Sequence, residues 1–151
     1  ECGFALSGHE NTLALGEEVA RHGVAETVEL VGVVADVLPH LAWADVLILT
    51  STTEGLPGAV LEAAFAGVPT AGFDVGGVSE AVIDGSTGQL VRRGDIDALS
   101  ADLVEMATDR TVTRAMGEEA RRLALSRFTL DDAVDRFAAV FSRLYDQDGP
   151  T

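Results

Sequence analysis

Two carboxylates, Glu54 and Glu62, stand eight positions apart at the ends of the segment EGLPGAVLE. Between them lie two glycines and a proline, and an apolar run suited to a helix follows. Pro57 is predicted to be the first helical residue, because the N–H it lacks would be unpaired there in any case. The amides of Gly58, Ala59 and Val60 would then point outward with no carbonyl partner of their own. Bare amides at the positive end of a helix dipole suit a phosphate group. Gly55 and Gly58 let a ligand come close to the backbone. Glu54 precedes the helix and Glu62 lies about one turn inside it, so both can accept hydrogen bonds from hydroxyls flanking a bound diphosphate. Each acid also has a plainer reading: Glu54 as a helix cap, Glu62 as a solvated surface acid.

The elements that must position these residues follow from the hydrophobic pattern. Ala44 to Ser51, ADVLILTS, reads as a buried strand, which places Glu54 at the carboxyl edge of a parallel sheet, where open α/β sheets bind ligands. Cys2 to Ser7 and Val28 to Gly32 read as earlier strands, with a helix from Asn11 to Arg21 between them that Gly23 ends. Asp36 opens a short helix with Leu38, Leu41 and Ala42 on one face. Pro57 begins a helix that Gly67 closes. Val68 to Phe73 is the next strand, Val78 to Ile83 a short helix, and Gly88 to Val91 the last strand. Alternating strands and helices predict parallel strands with helical crossovers.

After residue 94 only helices are expected: Asp95 to Asp109, Thr113 to Ser126 and Leu130 to Tyr145. Phe137, Phe141 and Tyr145 recur every four residues, a stripe expected to pack into the core. The domain reading is residues 1–94 as an α/β core, 95–146 as a helical tail of the same domain, and 147–151 as a frayed end.

Composition narrows the function classes. A chain of 151 residues with 47% hydrophobic residues is one domain by size, able to bury a core. The formal net charge is −15, with ten arginines and no lysine. That argues against nucleic acid and against docking on anionic membrane through a basic patch. No apolar run is long enough to span a bilayer, and residues 1–8 lack the basic start and apolar run of a signal peptide. The lone Cys2 suits a reducing cytoplasm and a small core position. His9, His22 and His40 are too scattered for a zinc site. The first strand leads into SGHENT rather than Gly-x-Gly-x-x-Gly, which disfavours a dinucleotide-binding dehydrogenase. The chain has no Gly-x-Ser-x-Gly elbow.

Ser51 to Glu62 resembles the E-x7-E signature of the retaining glycosyltransferases of family 4 (glycosyl transferases group 1), whose members have the GT-B fold. The resemblance runs from Glu29 to Val91, and residues 92–146 are similar to the family's helical tail. It implies a Rossmann-like α/β domain with a helical carboxyl-terminal tail, the donor-binding half of a GT-B enzyme. By this resemblance Glu54 would bind hydroxyls of the transferred sugar, as the catalytic residue, and Glu62 those of the ribose. The amides of Gly55, Leu56 and Gly58 would hold the sugar, and those of Gly58, Ala59 and Val60 the diphosphate. Val33 and Val34 would lie against the base. Gly8, His9 and Gly77 are secondary candidates.

The resemblance further implies a nucleotide-diphosphate sugar as substrate, no resident cofactor and no metal, with which the lack of an Asp-x-Asp pair near strand 45–50 fits. It also implies an amino-terminal acceptor-binding domain outside this chain, and a cytoplasmic enzyme that reaches the inner membrane face, if at all, through that domain. The family's domain starts with a further strand whose loop carries an Arg and Lys pair. Neither is found here, so the chain is expected to be a fragment. The alternative is a shortened domain whose strands have closed up. The loop Ser7-Gly8-His9-Glu10 departs from the family's Gly-x-Gly-Pro, which leaves the base open. Glycines 76 and 77 with Glu80 resemble a family GG-x-x-E loop facing the cleft; the plainer reading is a turn with Ser79 or Asp74 as cap. Arg92 and Arg93 can reach a phosphate or be ordinary surface arginines. Two other classes stay open: a nucleotide-sugar epimerase of the same fold, and a non-catalytic binding or interaction domain.

Overall fold

The structure, a computed structural model, describes residues 4–6 and 12–147. Cys2, Gly8, His9 and the cap expected at Asn11 lie outside the described residues. Four strands, β1 (Phe4–Leu6), β2 (Val46–Leu49), β3 (Thr70–Asp74) and β4 (Gly88–Arg92), form one sheet in the order β1-β2-β3-β4. All three neighbouring pairs are parallel, with Leu6 opposite Ile48, Ile48 opposite Ala71, and Ala71 opposite Gln89. The helices are α1 (Thr12–Arg21), α2 (Leu38–Trp43), α3 (Gly58–Ala66), α4 (Val78–Ala81), α5 (Ile96–Thr108), α6 (Arg110–Arg127) and α7 (Leu130–Gln147). The fold is the α/β architecture with a helical carboxyl-terminal tail that the pattern predicted.

The run VLIL of β2 is buried at every position. A strand covered on both faces reads as a continuous apolar run, and each such side chain stabilises the fold by about 1.5–3 kcal/mol. Val60 and Ala63 of α3 pack with β2 and with Phe73 of β3 in the same core. Gly67 closes α3 in the left-handed region, at φ 82°, and its amide bonds back to Ala64 O at 3.0 Å. On its other side α3 meets α6 through Ala64, Ala120 and Ala124, small residues that let the two backbones approach. Arg110, the first residue of α6, pairs with Asp45 at 2.7 Å and ties this helix to the entry of β2.

The helical tail begins at better caps than the apolar pattern alone indicated. Asp95 Oδ1 accepts from Ala98 N at 3.2 Å, and Asp109 Oδ1 accepts from Val112 N at 3.1 Å. Asp109 therefore starts α6 at Arg110, earlier than the Thr113 expected. At α7 the Thr129 hydroxyl accepts from Asp132 N while Asp132 Oδ2 accepts from Thr129 N, a reciprocal capping pair.

Four expectations need correction. Val28 to Gly32 forms no strand, and β1 pairs directly with β2. Val28 and Leu30 each keep 39% of their surface, and Gly32 sits at φ 66°. The run thus has neither a partner ladder nor a fully buried face to hold it extended. Of the face expected on α2 only Leu41 is buried, because the helix has just six residues and touches the core at one point. Pro57 has the φ of a helix, −73°, but an extended ψ of 119°, so it is the residue before the helix rather than the first within it. Last, Phe137, Phe141 and Tyr145 are 66%, 65% and 87% exposed. The amphipathic stripe on α7 is real, but the described residues offer it no surface to cover.

Candidate functional site

The candidate site is built at the carboxyl edge of β2. After Leu49 the chain leaves the sheet, passes through Thr52 and Glu54, and enters α3 at Gly58. Pro57 contributes no N–H, and its carbonyl accepts the first helical bond, from Leu61 N at 3.3 Å. Among the described residues, no side chain caps α3. Among the described residues, no hydrogen bond reaches the amides of Gly58, Ala59 and Val60. They are the unsatisfied donors that every helix start leaves. The one-residue shift at Pro57 therefore leaves the predicted row of open amides intact.

The side chains around that row differ. Gly55, Gly58, Leu56 and Glu62 are exposed, while Glu54 and Ala59 are half-buried. Val60 is buried in the core, so only its backbone can serve a ligand. Neither carboxylate has a hydrogen-bond or ion-pair partner among the described residues. The reading of Glu54 as a cap for α3 therefore fails. Glu62 lies in the second turn of α3, on the solvent side. Among the described residues, a surface cleft of about 280 Å³ lies elsewhere, lined by Ser79, Glu80, Ile83, Arg127, Phe128 and Arg136.

The loop after β3 joins this site, through contacts the sequence did not show. Gly77 N donates to Gly55 O at 2.8 Å. Gly76, at φ 54°, packs against the Glu54 carbonyl. Gly77 itself precedes α4, and neither Ser79 nor Asp74 caps that helix. Arg93, just past β4, donates from Nη1 to Thr52 O at 3.4 Å. Its guanidinium thus stands at the same sheet edge, where the sequence offered it only as a reach toward phosphate or as a surface arginine. Arg92 instead faces Asp95 at 3.8 Å.

The other predicted residues are less closely placed. Val33 is 89% exposed and Val34 half-buried, both in the irregular segment between α1 and α2. His22 and His40 are exposed and far apart in the fold's elements. Among the described residues, no three His, Cys, Asp or Glu side chains gather as a metal ion would need. No helix among them is long and apolar enough to cross a membrane.

Chemically, the arrangement offers one anion site made of backbone amides, with an unpartnered acid on each side of it. Comparison with known proteins gives the same region a context. The family model described as glycosyl transferases group 1 matches residues 2–109. N-acetyl-alpha-D-glucosaminyl L-malate synthase of Bacillus anthracis is 30% identical over 118 residues, covering 78% of this chain and 31% of that protein. GDP-mannose-dependent alpha-(1-6)-phosphatidylinositol monomannoside mannosyltransferase of Mycolicibacterium smegmatis is 36% identical over 129 residues, covering 80% of this chain and 34% of that protein. The chain thus spans about a third of the length of these curated relatives.

Among solved structures, HepE of Anabaena in complex with UDP superposes with a TM-score of 0.83 at 24% identity, over 94% of this chain and 41% of that one. Sucrose-phosphate synthase from Thermosynechococcus elongatus gives 0.84 at 21% identity, over 96% of this chain and 39% of that one. At these identities the likeness speaks to fold alone.

Proposed function

The chain belongs to the glycosyl transferases group 1 family, and we propose that it is the donor-binding half of a glycosyltransferase that moves a sugar from a nucleotide-diphosphate sugar to an acceptor with retention of anomeric configuration. The observation that carries this is the amide row of Gly58, Ala59 and Val60, open and flanked by two unpartnered carboxylates. A diphosphate seated there would be held by backbone N–H groups and the dipole of α3 rather than by net charge, which suits a chain of −15. Glu54 would accept from hydroxyls of the transferred sugar and Glu62 from the ribose. The amides of Gly55 and Leu56 would hold the sugar. Val33 and Val34 would border the base through their backbone. The UDP-bound state of a fold neighbour supports a nucleotide in this fold.

In the transfer we envisage, the bond from the anomeric carbon to the diphosphate oxygen breaks. The acceptor hydroxyl attacks from the same face, and its proton passes to the departing diphosphate. The protein's part is electrostatic: amides stabilise the growing negative charge on the leaving group, and Glu54 the positive charge on the sugar. No step calls on a resident cofactor or metal. The acceptor would bind to an amino-terminal domain, which would also close over residues 54–62.

The test is product analysis with the intact enzyme. Supplied with a nucleotide sugar and acceptor, it should give a glycoside of the donor's anomeric configuration. Inverted product would remove the retaining mechanism. Conversion of the nucleotide sugar without any acceptor would replace transfer with epimerisation.

A further inference from the structure

Resting on the donor-site assignment above, we propose that Gly76, Gly77 and Arg93 are positioning residues that aim Glu54, by fixing the main chain on both sides of it. A carboxylate with no side-chain partner is directed only by its own backbone, and Glu54 has no such partner among the described residues. Its backbone, in contrast, is held closely. The carbonyl two residues before it, Thr52 O, accepts from Arg93 Nη1 at 3.4 Å. The carbonyl one residue after it, Gly55 O, accepts from Gly77 N at 2.8 Å. The carbonyl of Glu54 itself lies against Gly76.

These contacts explain why two glycines occupy the turn. A Cβ on Gly76 would stand 1.8 Å from Glu54 O, and one on Gly77 2.5 Å from Gly55 O. Both obstacles are backbone atoms, which cannot rotate aside as the end of a flexible side chain can. Any side chain at either position must therefore push the Glu54 loop away from its seat. Gly76 also has φ 54°, which an L side chain adopts only with strain. Arg93 comes from the far side of β3, so the loop carrying Glu54 is held from the two strands that follow it in the sheet. The open amides at 58–60 sit on the rigid start of α3 and take no part in these contacts. The clamp should therefore govern how the sugar is gripped and leave the diphosphate site alone.

That separation defines the experiment. The 151-residue chain is titrated by calorimetry with three pairs of ligands: UDP and UDP-glucose, GDP and GDP-mannose, ADP and ADP-glucose. The wild type should bind one nucleotide, and its sugar conjugate more tightly. Gly77→Ala should lose that sugar-dependent gain, about tenfold in dissociation constant for one misplaced charge-assisted contact, with affinity for the bare nucleotide changed less than twofold. Arg93→Ala tests the same role from the exposed side, where folding is not at stake, and should reproduce the loss in the same direction. Arg93→Lys, which keeps a donor, should restore part of it. Equal losses for nucleotide and conjugate would mark mere structural damage and overturn the positioning role. So would a Gly77→Ala and an Arg93→Ala that both keep the full sugar gain. A wild type that binds nucleotides without any sugar gain removes the positioning role but leaves the nucleotide site. A wild type that binds none of the six overturns the donor-site assignment and this inference together.

Discussion

Gly16 and Gly117 make opposite predictions from the same substitution. Both lie inside helices, Gly16 in α1 and Gly117 in α6. Replacing either with alanine removes backbone freedom from the unfolded chain, a gain of about 0.5–1 kcal/mol. The surroundings then decide the sign. A Cβ on Gly16 meets only Leu30 Cδ1, at 3.6 Å, an ordinary contact. A Cβ on Gly117 would stand 2.1 Å from Gly67 O and 3.1 Å from Pro69 Cδ. Relieving this requires α6 to move about 1 Å away from the end of α3, and overpacking of that kind costs about 1–3 kcal/mol. The obstacle is a carbonyl of the helix-closing residue, so it cannot yield by a rotamer change. Gly117→Ala should therefore be less stable by about 1–2 kcal/mol net, a fall in Tm of about 2–8 °C for a chain of this size. Gly16→Ala should be more stable by up to about 1 kcal/mol. Urea unfolding of the two variants and the parent, followed by circular dichroism, reads both signs. A Gly117→Ala chain as stable as the parent would show that α3 and α6 are not in backbone contact, and the packing described for them would be wrong.

Other perturbations reach different parts of the molecule. Thr113 is buried, and its hydroxyl donates to Met106 O at 2.7 Å, joining the end of α5 to α6; Thr113→Val should cost about 1–3 kcal/mol in urea unfolding and Thr113→Ser much less. Partial burial, with Asp84 and Glu105 nearby, raises the Asp102 carboxyl above its ordinary value. A raised folded value means the native state binds the proton more readily than the unfolded chain, so this group favours folding at low pH and opposes it once pH rises through its folded value. Asp102→Asn should accordingly raise Tm at neutral pH, and the advantage should vanish in acid below the ordinary aspartate range; an advantage that persists there would contradict the assignment. In the intact enzyme, Glu54→Ala should lower kcat/KM by a factor corresponding to about 2–4 kcal/mol while leaving the unfolding midpoint nearly unchanged. Unchanged turnover would remove Glu54 from the chemistry.

Much of this was legible in the sequence wherever a local rule was sufficient. The run from Ala44 to Ser51 could only be a buried strand, and Gly67 could only close the helix before it, because each signal is complete within a few residues. The open amides at 58–60 were legible for the same reason, since a helix start leaves them bare whatever surrounds it. Failures arose where the outcome depended on a distant partner. Val28 to Gly32 has the composition of a strand, but a strand exists only against a neighbour, and β1 pairs with β2 instead. Phe137, Phe141 and Tyr145 have the period of a buried face, yet period says nothing about which surface does the covering. Gly76 and Gly77 were visible as a pair. Their reason, the carbonyls of Glu54 and Gly55 at less than a methyl's distance, belongs to a loop more than twenty residues upstream. Arg93 is the same case: nothing near it in sequence points to Thr52.

The most direct measurement concerns the amides themselves. Gly58→Pro deletes one N–H from the start of α3 at a position where a helix accepts proline, and the extended ψ of 119° at Pro57 suits a residue that precedes one. Gly58→Ala keeps the N–H and serves as control, since a Cβ there meets nothing within 4 Å. Calorimetric titration of both variants with UDP, GDP and ADP at millimolar concentration compares the two. If the start of α3 is the diphosphate site, Gly58→Pro should bind the preferred nucleotide about tenfold or more weakly than Gly58→Ala, with both chains equally folded. Equal affinity in the two variants would show that the diphosphate is held elsewhere.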